Sequence, residues 1–163
     1  MNRIGIGYDS HMFCEDRPLI IGGVKIEYNR GLKGHSDGDV LLHAIADALL
    51  GASSLGDIGS YFPDTDETIK GIDSRIIVKV IRKKIKETGF QIVNIDCIIL
   101  AEEPKLSCYY EKIINNISDM LAISRDNVNI KAKTNEGMGF IGSKQGIASY
   151  AVALLEYRTK KGK

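Results

Sequence analysis

Gly34 to Asp66 reads GHSDGDVLLHAIADALLGASSLGDIGSYFPDTD. Val40, Leu41, Ala44, Ile45 and Ala48 recur at helical spacing, behind a Ser36-Asp37 entry suited to capping and ahead of Gly51. That pattern predicts a helix over residues 37–50. Asp39, His43 and Asp47 stand four residues apart on it, so they share one stripe of an otherwise largely apolar helix. Such a stripe needs a polar partner elsewhere in the fold.

Working outward, Ile4 to Tyr8 and Leu19 to Tyr28 are apolar and β-branched, the second interrupted by Gly22-Gly23, and read as strands with a tight turn. Ile76, Ile77, Val80, Ile81 and Ile85 mark a second helix, with Arg75, Lys79, Arg82, Lys83 and Lys86 as its solvated face and Gly89 as its end. Gln91 to Leu100 and Val128 to Lys133 read as strands. Between them, Tyr110, Ile113, Ile114, Ile117 and Leu121 mark a third helix. Ile147, Ala148, Ala151, Val152, Leu154 and Leu155 suggest a fourth over Gln145 to Tyr157. Alternating helices and strands imply a sheet covered by helices, α/β or α+β.

The 163 residues suit one domain, and no repeat or linker divides them. Lys and Arg total 22 against 21 Asp and Glu, a balance that offers no basic field for nucleic acid. No stretch approaches the ~20 apolar residues that cross a bilayer, so no membrane partner is expected. Cys14, Cys97 and Cys108 are odd in number and lack C-x-x-C spacing; free thiols in a reducing compartment are expected. Gly5-x-Gly7 and Gly137-x-Gly139-x-x-Gly142 resemble phosphate loops only superficially, because neither opens a βαβ dinucleotide unit. Close turns, or close approach of backbone to a ligand, explain them better.

All three histidines lie in Asp9-x-His11 and His35-Ser-Asp-Gly-Asp39-x-x-x-His43. Taken singly, His43 reads as a hydrogen-bonded core residue and Asp9-x-His11 as a loop. Together, Asp9, His11 and His43 can supply the three N and O ligands that a catalytic zinc needs, with a fourth position left for substrate, although Asp-x-His alone is a weak pattern.

GYDSHMF at Gly7 to Phe13, the Gly34–Asp66 stretch, EEPKL at Glu102 to Leu106 and KTNEGMGFIGS at Lys133 to Ser143 closely resemble, in order, the 2-C-methyl-D-erythritol 2,4-cyclodiphosphate synthase family of the non-mevalonate isoprenoid pathway. The likeness spans nearly the whole chain. It implies an α+β subunit with a mixed four-stranded sheet and helices packed on one face, assembled as a homotrimer with active sites between subunits. It also implies the reaction: the 2-phosphate of 4-diphosphocytidyl-2-C-methyl-D-erythritol 2-phosphate attacks the β-phosphorus, releasing CMP and closing a cyclic diphosphate. Such an intramolecular transfer needs positioning and charge neutralisation, with no protein nucleophile.

The resemblance assigns roles residue by residue. Asp9, His11 and His43 match the zinc ligands, Asp9 and His11 also lying against substrate. Glu136 matches the ligand of a second divalent ion, Mg2+ or Mn2+. His35 and Ser36 match contacts to the erythritol phosphate, where the first turn of a helix favours an anion. Asp57 and Gly59 match ribose contacts. Phe62, Asp64 and Asp66 lie in a loop that contacts the methylerythritol, although Pro-Asp-Thr-Asp also reads as a surface turn. Ala101 to Ser107, with Pro104, Lys105 and Leu106, corresponds to the cytosine pocket. Thr134 and Phe140 match further substrate contacts, and His35, Asp47, Thr134 and Glu136 are the candidate catalytic groups, Asp47 in water or proton positioning.

The chain also departs from the family pattern. Ser143 and Lys144 stand where an arginine usually follows Phe-x-Gly, and a lysine offers a point charge where an arginine offers a planar fork. Glu102-Glu103 replaces uncharged residues of the base pocket, and Lys133 and Asn135 replace threonines. A zinc hydrolase of nucleotide diphosphates and a non-catalytic trimeric binding protein are the competing readings. Plastid relatives carry a transit extension that this sequence lacks, so a bacterial cytoplasm is the expected location.

Overall fold

A computed structural model describes residues 1–157. In chain order it contains β1 (Asn2–Cys14), β2 (Leu19–Ile21), β3 (Val24–Ile26), β4 (Gly31–Leu32), α1 (Val40–Ser53), α2 (Ser74–Glu87), β5 (Phe90–Leu100), α3 (Tyr110–Leu121), β6 (Val128–Lys133), α4 (Gly139–Gly142) and β7 (Gly146–Tyr157). The main sheet runs β4-β1-β7-β5-β6, and β2 and β3 form a separate hairpin. Among the described residues only β5 and β6 pair in parallel. The fold is α+β. Among the described residues no helix is long and apolar enough to cross a membrane.

Two expectations about the sheet need correction. The sheet has five strands, not four, because Gly31 and Leu32 add a short edge strand opposite Cys14 and Phe13. Residues 146–157 form a strand, not a helix. There Ile147, Ser149, Ala151, Ala153 and Leu155 are buried while Tyr150 and Val152 are exposed, a period of two, and β7 pairs on both edges, with β1 and β5. Its alanines mimic helical spacing, but strand pairing on both sides overrides that local preference.

The helices pack on one face of the sheet. α1 is buried along most of its length, as a helix apolar all round must be. It starts later and ends later than its sequence suggests. Asp39, not Ser36-Asp37, is the N-cap, accepting from Leu42 N–H, and Ser54 in the left-handed region, not Gly51, ends it. The Asp39 carboxylate also accepts from Gly22 N–H at 2.9 Å and Gly23 N–H at 2.6 Å. It therefore anchors the β2–β3 turn and leaves the stripe of His43 and Asp47. α2 is capped by Asp73 and buries Ile77, Val78, Ile81 and Ile85, while Ile76 and Val80 of the expected apolar face are exposed.

The opposite face of the sheet is bare. Ile4, Ile6, Tyr8 and Met12 of β1 and Tyr150 and Val152 of β7 are exposed, Ile4 by 73% and Ile6 by 69%. Contiguous apolar surface of this kind marks an interaction face.

Candidate metal and substrate site

Gly5 and Gly7 set the geometry. A Cβ at Gly5 would lie 2.0 Å from the Ala48 carbonyl oxygen, and one at Gly7 would lie 1.9 Å from that of Ala44. These glycines let β1 backbone press on α1 backbone, so their close approach is to the helix and not to a ligand. The contact brings Asp9 and His11, further along β1, against His43 on α1.

There the donor atoms converge. His11 Nε2 lies 2.8 Å from Asp9 Oδ2, His43 Nδ1 lies 3.0 Å from the same oxygen, and the two ring nitrogens are 3.2 Å apart. Ligands about 2.0–2.1 Å from a tetrahedral zinc are separated by roughly 3.3 Å, so the donor set fits such an ion with small adjustment. These three residues also form a group able to hold a metal ion among the described residues. Burial works to raise the Asp9 carboxyl, yet the hydrogen bonds and charges of His11 and His43 outweigh it and hold Asp9 well below the usual carboxylate range. Burial opposes charge on His43, but Asp9 prevails and raises its pKa. On the far side of the ring, His43 Nε2 lies 3.0 Å from Ser36 Oγ and 2.9 Å from Ser74 Oγ.

A cleft of about 570 Å³ opens over this cluster, lined also by His35, Ser36, Gly59, Phe62 and Asp64. Two carboxylates expected here each commit one oxygen, Oδ1, to a local turn. Asp57 caps the turn at 58–60, accepting from Ser60 N–H and Oγ–H, and the Asp66 carboxylate accepts from Thr68 N–H and Oγ1–H. Asp66 still reaches the site through its carbonyl, 2.9 Å from His35 Nε2. Asp47 accepts from Ile58 N–H at 2.8 Å, and burial raises its pKa. It holds the turn that carries Gly59.

Five of the remaining candidates, Ala101, Pro104, Lys105, Leu106 and Thr134, line a different cleft of about 390 Å³, with Glu102, Ser107 and Tyr110 among others. Thr134 Oγ1 donates to Glu136 Oε1 at 3.0 Å, and Glu136 has φ of 51°. Phe140 is exposed nearby in sequence, on α4. Lys144 Nζ is 2.8 Å from Glu103, whose carboxylate also meets Tyr28 and Arg30. Lys144 thus already has a carboxylate partner. On one chain, the metal cluster and Thr134, whose hydroxyl holds Glu136, belong to separate clefts.

Sequence reasoning missed the contributions of Ser74, Asp37 and Glu102. Glu102 accepts from Asn135 N–H at 2.8 Å and Gly137 N–H at 3.4 Å, bracing the turn that carries Glu136. Ser74 offered one signal, a polar residue opening a helix, and that reads equally as capping.

Known proteins match this arrangement. A 2-C-methyl-D-erythritol 2,4-cyclodiphosphate synthase from Clostridioides difficile (strain 630) is 55% identical over 153 residues, 94% of this chain and 95% of that one. A Plasmodium falciparum IspF in complex with CDP superposes with a TM-score of 0.85 at 38% identity, covering 97% of both chains. The bifunctional IspDF from Campylobacter jejuni superposes with a TM-score of 0.94 at 43% identity, over 97% of this chain and 43% of that longer one. A model of the YgbB family matches residues 2–156, nearly all of the described chain, and with a relative 55% identical over 95% of its length the chain belongs to the YgbB family.

Proposed function

We propose that this enzyme converts 4-diphosphocytidyl-2-C-methyl-D-erythritol 2-phosphate to 2-C-methyl-D-erythritol 2,4-cyclodiphosphate and CMP, in isoprenoid precursor synthesis. The observation that carries the reading is the convergence of Asp9, His11 and His43 within 3.2 Å of one another at the floor of a cleft. One oxygen of the 2-phosphate attacks the β-phosphorus, the bond from that phosphorus to the oxygen bridging to the α-phosphorus breaks, and CMP departs with its electron pair.

Asp9, His11 and His43 would hold Zn2+, and Glu136 a second divalent cation, Mg2+ or Mn2+. Metal held by these residues would supply neutralisation of phosphate charge and polarisation of the β-phosphorus. The chain's own groups do the positioning. His35, held by the Asp66 carbonyl, and Ser36 face the erythritol phosphate; Phe62 and Asp64 flank the methylerythritol; Asp57 and Gly59 take the ribose. Ala101, Pro104, Lys105 and Leu106 enclose the base, and Thr134 and Phe140 contact the remaining substrate. Lys144 reaches phosphate only by exchanging Glu103 for it.

The metal cluster and the base pocket lie in separate clefts of one chain, so we propose that each active site is completed between subunits of a homotrimer. The exposed apolar face of β1 and β7 is the surface that such an assembly would cover. Asp9→Asn and His43→Ala should each abolish zinc binding and turnover while circular dichroism stays native, because the core is apolar and metal-independent. Full turnover of either variant without zinc overturns the assignment.

A further inference from the structure

We propose that Ser74 and Asp37 are positioning residues of the metal site: they fix the proton of His43 on Nε2 and so aim the Nδ1 lone pair at the metal. The inference rests on the reading of Asp9, His11 and His43 as metal ligands.

The argument is one of proton accounting. Ser74 is fully buried at the start of α2, and its hydroxyl has a single hydrogen. Asp37 Oδ1 lies 2.5 Å from Ser74 Oγ, and Asp37 Oδ2 accepts from Ser74 N–H at 3.1 Å. A carboxylate can only accept, so the Ser74 proton is committed to Asp37. The Ser74 oxygen then turns a lone pair toward His43 Nε2 at 2.9 Å. If Nε2 were unprotonated, two lone pairs would face each other at that distance in a buried site. Protonated, Nε2 donates to Ser74, and to Ser36 Oγ at 3.0 Å, which also accepts from Gly38 N–H at 3.1 Å.

With Nε2 protonated, Nδ1 of the neutral ring is the free donor, and Nδ1 is the atom that faces Asp9 and His11. The order Asp37, Ser74, His43 thus sets the tautomer that metal binding requires. It also links three segments: Asp37 precedes α1, Ser74 opens α2, and His43 projects from α1 toward β1. Asp37 N–H meanwhile donates to the Ile72 carbonyl at 3.0 Å, holding the Asp37 loop in register with the start of α2.

The test is zinc affinity by chelator competition on wild type, Ser74→Ala and His43→Ala, together with nitrogen-detected NMR of the His43 ring in the zinc-loaded wild type. Loss of one hydrogen-bond partner behind a metal ligand weakens binding by about 10–100-fold. Because Ser36 remains as an acceptor, Ser74→Ala should sit near the tenfold end, and the wild-type ring should carry a slowly exchanging proton on Nε2. A proton on Nδ1 overturns the proposal without need of any variant. So does a folded Ser74→Ala protein whose affinity falls by less than about threefold while His43→Ala loses zinc. Wild-type affinity in His43→Ala would instead remove the metal-site reading itself.

Discussion

Gly7 and the Ala44 carbonyl oxygen are so close that a methyl group between them would sit 1.9 Å from that oxygen. Both partners are backbone, in β1 and in α1, so neither can rotate away. Gly7→Ala should cost about 3 kcal/mol or more, the upper range for overpacking, since no flexible side chain can absorb the strain. It should also weaken metal binding, because the same contact sets the 3.0 Å approach of His43 to Asp9. Denaturant melts and metal titration check both effects; native stability with native metal affinity would refute the linkage.

The metal-free and zinc-loaded proteins should respond oppositely to pH. His43 is raised above its ordinary 6.5, so its contribution in the metal-free protein is full below that pH and is lost as pH rises through the raised value. Asp9 is lowered from 3.8, so its contribution is present above that pH and lost only in stronger acid. Zinc competes with the His43 proton and therefore binds more tightly as pH rises. The gap in Tm between loaded and chelated protein should widen from about pH 6 to pH 8, the span over which imidazoles deprotonate. A constant gap would contradict the His43 assignment.

Glu102 braces the turn that bears Thr134 and Glu136, through the amides of Asn135 and Gly137. Glu102→Ala should reduce kcat by about tenfold, the loss expected from a charge-assisted hydrogen bond of ~1.5 kcal/mol. Zinc affinity at Asp9, His11 and His43 should be unaffected. Unchanged kcat would show that the turn holds its shape without the carboxylate.

The thiols should react in sequence. Cys108 is exposed, Cys14 is half-buried, and Cys97 is buried, with burial pushing its thiol up to about 12. A chromogenic disulfide reagent should label Cys108 first and Cys97 only on unfolding. Early labelling of Cys97 would mean that β5 opens locally.

Much of the fold could be read from patterns. The helix at Tyr110 to Leu121 has the bounds that its apolar spacing suggests, Phe90–Leu100 is a strand as its Ile and Val content indicates, and Val128–Lys133 is one as its alternation of apolar and polar residues indicates. The metal cluster was legible because all three histidines fall in two short carboxylate-bearing motifs and the family resemblance singles out Asp9, His11 and His43 among them. Strand β7 was not, because its alanines and aliphatic residues mimic helical spacing, and the alternation of buried and exposed positions emerges only once β1 and β5 flank it. Asp39 misled for a related reason: four-residue spacing placed it with His43, whereas a cap residue lies outside the helix and its carboxylate turns back to Gly22 and Gly23. The division of site residues between two clefts, and the Asp37–Ser74–His43 chain, depend on contacts between segments remote in sequence.

The most direct test is phosphorus NMR of the protein incubated with 4-diphosphocytidyl-2-C-methyl-D-erythritol 2-phosphate, zinc and magnesium. The account predicts CMP and a cyclic diphosphate, with no solvent oxygen in the product. Linear phosphates would contradict it in favour of hydrolysis, and unchanged substrate with zinc bound would mean that this site binds without catalysing.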